Sequence, residues 1–133
     1  MNETPIQIVG NLTADPELRH TNNETPVANL RVASNPRRFD RQSGKWVDGT
    51  TSYFDVEVWY GQAVNVVQSL TQGDRVIIFG TIRTKSWQPE EGPRRSKQVV
   101  VATEIGPSLR YATAEPVKAD RDDAEPEGEE PTF

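Results

Sequence analysis

Cysteine is absent from the 133-residue chain, and histidine occurs once, as His20. The first absence excludes disulfides, a thiol nucleophile and a thiolate zinc site. The second excludes a histidine metal cluster and any relay between two imidazoles. No glycine-rich phosphate loop and no nucleophile elbow is found. An enzyme is therefore not expected, nor is a cofactor. No stretch approaches the ~20 apolar residues of a membrane helix. Met1-Asn2-Glu3-Thr4-Pro5 has neither the basic region nor the apolar run of a secretory leader. Together these absences predict a cytoplasmic protein with no membrane partner.

Acidic residues outnumber basic ones by 20 to 15, a net charge of −5 that argues at first against a polyanionic partner. The distribution reverses that reading. Residues 113–133 hold eight acids and two bases, a net of −6, which leaves residues 1–112 at +1. A charge asymmetry of this kind marks an appended segment. The last 21 residues are rich in Pro, Glu, Asp and Ala, with almost no large apolar side chain. Burial there cannot offset the entropy of ordering. The expectation is a folded domain over 1–112 followed by a disordered acidic tail over 113–133.

Within the domain the hydrophobic period is mostly two. Ile6, Ile8 and Leu12 alternate across a first strand, with a bend or bulge expected at Gly10. Val27–Ser34 reads as a second strand, and residues 36–51, with Ser43-Gly44 and Asp48-Gly49 as turn signals, as a projecting hairpin arm. Tyr53–Trp59 is the clearest strand: Phe54, Val56 and Val58 face one way, and Tyr53, Asp55, Glu57 and Trp59 the other. The period then changes, with Ala63, Val66, Val67 and Leu70 at helical spacing and Gly73 placed to cap the helix end. Arg75–Arg83 and Gln98–Ile105 supply two more strands. An all-β fold follows: a five-stranded barrel with one short helix between strands three and four, the arrangement of an OB-fold. An open β-sandwich would hold the same strands but does not account for a lone helix at that place.

The chemistry-bearing residues are aromatic rings set among bases. Single-stranded nucleic acid is held by stacking bases on such rings while cations follow the phosphates. Arg83, Lys85 and Trp87 share one strand face, and Tyr53 and Trp59 lie opposite the apolar face of their strand. The arm adds Arg37, Arg38, Phe39 and Trp46, and Arg94 and Arg95 follow in a polar loop or hairpin beyond Trp87. Each ring has another use open to it. Trp46 could pack on the arm or on a neighbouring subunit, Tyr53 and Trp59 could form a subunit interface, and Phe79 could face either way. Asp55 and Glu57 could hold a divalent cation, as an OB-fold nuclease would require, although a solvated strand surface is the simpler reading. An RNA binder, or a protein scaffold that binds no nucleic acid, also fits the pattern.

Gly10-Asn11-Leu12, Asp15-Pro16-Glu17-Leu18-Arg19, Val27–Ala33, Gly73-Asp74-Arg75-Val76, Gly80 and Arg83-Thr84-Lys85-Ser86-Trp87 together resemble the bacterial single-stranded DNA-binding proteins. Ile105–Tyr111 resembles their actinobacterial branch. The resemblance implies an OB-fold assembled as a homotetramer that coats and protects single-stranded DNA in replication, recombination and repair. It assigns stacking to Trp87, Trp59 and Tyr53, with the arm position falling on Arg38 or Phe39. It also implies recruitment of replication and repair proteins by the acidic tip, here Glu129, Glu130, Pro131 and Phe133, with Thr132 where the family has Pro. A further departure is the pair of carboxylates, Asp55 and Glu57, between two proposed stacking residues. On a phosphate-tracking face they should weaken binding and sharpen its response to salt. The departures suggest an auxiliary paralogue.

Overall fold

The computed structural model describes residues 2–119. Its core is built from five long strands: β1 (Thr4–Leu12), β3 (Pro26–Ser34), β6 (Ser52–Trp59), β7 (Arg75–Trp87) and β8 (Arg95–Pro107). Three short strands accompany them: β2 (Glu17–His20), and the arm's β4 (Arg37–Asp40) and β5 (Lys45–Asp48), which pair only with each other. One helix, α1 (Gly61–Ser69), stands between β6 and β7. The main sheet runs β1-β7-β8-β6-β3-β2, and β1 also pairs with β3 through Asn11 and Leu12, so the sheet curls back on itself. This is the OB arrangement read from the sequence.

Alternation decides what goes inside. Ile8 and Leu12 of β1, Leu30 and Val32 of β3, Val56 and Val58 of β6, and Val76 and Ile78 of β7 form one buried cluster with Ala63, Val66 and Leu70 of the helix side. Phe54 packs against it, as its period predicts. Each fully buried Val or Ile contributes about 1.5–3 kcal/mol relative to exposure. Two glycines permit the tight curl. A Cβ on Gly10 would lie 2.4 Å from the Ala33 carbonyl oxygen, and one on Gly80 would lie 2.4 Å from that of Val101. The ladder irregularity falls between Phe79 and Gly80 on β7. Of the bend or bulge expected at Gly10, no bulge forms, since the ladder to β7 runs through Gly10↔Val76 without a shift; the glycine serves close approach to β3.

Two further expectations change. The helix ends at Leu70, and Gly73 lies beyond it with φ +91°, in the turn whose Gly73 N–H donates to the Leu12 carbonyl at 2.8 Å. It shapes the helix-to-β7 connection and not the cap. The strands β7 and β8 run further than their apolar runs, pairing from Arg83↔Val99 out to Trp87↔Arg95, so Arg95 stands on a strand and only Arg94 in the turn. His20 is exposed, on the end of β2. After Pro107, Ser108 is tucked in through its N–H to the Arg75 carbonyl, and residues 112–119 form no helix or strand. The rest of the tail, with Glu129, Glu130, Pro131 and Phe133, lies outside the described residues.

Candidate nucleic-acid interface

The outward side of β6 carries Tyr53, Asp55, Glu57 and Trp59 in one column, and the β3 ladder sets Ala33, Arg31, Asn29 and Val27 opposite them in that order. At ~3.3 Å per residue the column is ~20 Å long. Tyr53 opens it, 55 % exposed, with the Arg31 guanidinium 4.9 Å above its ring. The arm leaves from this same end, because it joins the last residue of β3 to the first of β6. On the arm Phe39 and Trp46 are cross-strand partners, both exposed, with ring centroids 5.6 Å apart in an edge-on contact. Arg37 is tied down there by its Nη2 donating to the Trp46 carbonyl at 3.1 Å and by Asp48 at 3.7 Å. Arg38 is exposed beside them.

At the other end of the column Trp59 and Trp87 line one cleft with Tyr60, Lys85, Arg19 and the loop Thr21–Thr25. The two indoles differ. Trp87 is 44 % exposed at the end of β7. Trp59 is only 9 % exposed: it packs against Val27, Val101 and Tyr60, and its Nε1–H donates to Glu57 Oε1 at 3.3 Å. It forms the cleft's wall, and little of its ring is open to a base. Outward alternation brings Arg83 and Lys85 onto the Trp87 side of β7, with Ile82 packing inward. Arg83 reaches Glu3 at 4.0 Å, and Arg94 Nη2 donates to Ser86 Oγ at 3.1 Å, which holds the β7–β8 turn. Phe79 points outward on β7, opposite Gln7 of β1 and Glu104 of β8.

The carboxylates are engaged. Asp55 accepts from Arg31 at 3.1 Å and faces Lys97 at 3.6 Å. Glu57 is 4 % exposed and pairs with Lys85, with Arg19 at 4.0 Å. Lys85 and Lys97 are directly opposite on the β7–β8 ladder, a repulsive placement that the two acids offset. With cations against their oxygens, these acids do not make a vacant metal cradle. Among the described residues no group of three or more His, Asp or Glu is disposed to hold a metal. A base already paired with a carboxylate displaces few of the counterions condensed on a nucleic acid, which opposes the sharper salt response expected of these acids. Arg19, Arg31 and Lys97 complete this surface. Arg31 was findable from the sequence, since it alternates outward on β3; Arg19 was not, because β2 has no apolar face.

A sequence profile described as the single-strand binding protein family matches residues 3–108, nearly the whole described fold. The chain belongs to that family. Its members bind and do not catalyse. Single-strand binding relatives include the single-stranded DNA-binding protein of Mycolicibacterium smegmatis, 52 % identical over 119 residues, covering 90 % of this chain and 72 % of that one. The protein of the same name from Mycobacterium tuberculosis is 51 % identical, covering 90 % and 73 %. Among solved structures, the small single-stranded DNA-binding protein from Streptomyces coelicolor matches with a TM-score of 0.69 and 34 % identity, over 82 % of this chain and 97 % of that one. Among the described residues no helix is long and apolar enough to cross a membrane.

Proposed function

We propose that this protein binds single-stranded DNA without strong sequence preference, with Phe39, Trp46, Tyr53 and Trp87 as stacking platforms. The observation that carries the reading is the set of exposed rings, each beside a base, running from the arm along β6 to the cleft. Stacking is indifferent to base identity because every base has a π-face. Arg38, Arg83, Arg94 and Arg95 follow the backbone, Arg37 braces the arm, and Trp59 supports the cleft from behind. The protein coats and protects single strands in replication, recombination and repair, in the cytoplasm at the nucleoid. Residues 1–112 act as the binding domain, and the acidic tail from residue 113 recruits replication and repair proteins through Glu129, Glu130, Pro131 and Phe133.

A homo-oligomer, in the form of a homotetramer, fits two features. Val9, Ile77 and Phe79 make a partly exposed apolar strip on β1 and β7. The far edge of β1 pairs with β3 only at Asn11 and Leu12, which leaves an unpaired strand edge open to a second copy. The engaged acids favour an auxiliary role; affinity equal to that of a typical family member at physiological salt would count against it. Titration with oligo-dT tests the main reading. Tryptophan fluorescence should be quenched and binding should be weaker for a matched duplex. An absence of quenching at any salt, or tighter binding of matched RNA, would overturn it.

A further inference from the structure

Glu57 is an unusual residue to find beside a nucleic-acid cleft, bonded to two of the side chains that line it. It is nearly buried, and a buried carboxylate stays charged only when it is paired and hydrogen-bonded. Here both oxygens are used: Oε1 accepts from the Trp59 indole, and Oε2 meets Lys85, with Arg19 further out. Lys85 lines the cleft with Trp59 and Trp87 and shares the outward face of β7 with Trp87, so it is a cation placed to meet a phosphate there. A phosphate arriving at Lys85 finds an anion already in its place.

We propose that Glu57 is an internal substitute for phosphate, a positioning residue that withholds Lys85 from the DNA backbone and sets the indole edge of Trp59. The inference rests on the single-strand reading above and deepens it. With Lys85 neutralised, the cleft holds a strand mainly through the Trp87 ring, and binding there depends less on salt than its base content suggests. Asp55 acts similarly on Arg31 and Lys97, but all three of those groups are substantially exposed, where pairing is weak and easily exchanged. Glu57 is thus the decisive acid.

Glu57→Gln separates the two roles, because its amide oxygen still accepts from Trp59 while the charge is gone. Affinity for oligo-dT is measured against salt for the full chain. One freed cation that neutralises one phosphate steepens the logarithmic salt slope by about 0.7. Between 200 and 50 mM salt the variant should therefore gain about 2.6-fold more affinity than the wild type does. A purely structural Glu57 would leave the slope unchanged, and that result overturns the proposal. The paired variant Glu57→Gln/Lys85→Gln keeps local charge constant and serves if the single variant does not fold. Its slope should equal that of the wild type; a slope about 0.7 shallower would mean that Lys85 meets phosphate despite Glu57. Failure of the single-strand reading itself would appear differently, as a wild-type protein that does not bind oligo-dT at all.

Discussion

Trp87 and Trp59 line the same cleft, and truncating each to alanine should produce opposite phenotypes. Trp87 is 44 % exposed, and none of the buried clusters includes it. Its loss should leave folding nearly unchanged and remove one stacked base, about 1–3 kcal/mol, or roughly 5- to 150-fold in affinity. Trp59 is 9 % exposed and seals Val27 and Val101. Burial on that scale makes Trp→Ala cost about 3–5 kcal/mol of stability. At about 4–8 °C per kcal/mol for a domain of this size, the melting temperature should fall by at least about 12 °C. Because tryptophan is the native fluorophore, affinity is best read by anisotropy of a labelled oligo-dT, and stability by circular dichroism at fixed protein concentration. Trp87→Ala with full affinity, or Trp59→Ala with reduced affinity and an unchanged melting temperature, would refute the division into platform and wall.

Further expectations concern the arm, the curl of the sheet and the apolar strip. Because β4 and β5 pair only with each other, Phe39→Ala and Trp46→Ala should each weaken oligo-dT binding within the same stacking range while leaving thermal stability almost untouched. A melting temperature that drops with affinity would show that the arm supports the fold. Gly10→Ala sets a methyl group 2.4 Å from the Ala33 carbonyl oxygen, so β1 must move away from β3; a melt should show destabilisation, and an unchanged melting temperature would contradict the close approach. Phe79→Glu puts a charge on the exposed strip and should lower the mass seen by sedimentation. An unaltered mass would remove that strip from subunit contacts.

The main strands were legible because one face of each is apolar. Val56 and Val58 point inward and Tyr53 and Asp55 outward as the period of two requires, and the helix was visible from Ala63 and Val66. What stayed hidden has no such signature. Glu17–His20 is exposed throughout, so β2 is held by its ladder to β3 and not by burial. The outer halves of β7 and β8 are polar and pair with each other, which extended two strands past their apolar runs. The burial of Trp59 depends on Val27 and Val101, which neighbouring strands bring beside it from distant parts of the chain. The same holds for Glu57: its acidity was evident, but its pairing with Lys85 arises only when β6 and β7 are brought into one surface. Side-chain type was readable locally; partnership was not.

The most direct test of the proposed surface is photo-cross-linking of a halogenated oligo-dU to the full chain, with the attachment sites identified by mass spectrometry. Cross-links should concentrate on Trp87, Tyr53 and the Phe39–Trp46 pair of the arm. Phe79 is the built-in control, an equally exposed ring on the β1 side of the barrel. Attachment chiefly at Phe79, with Trp87 and Tyr53 unmarked, would contradict the account.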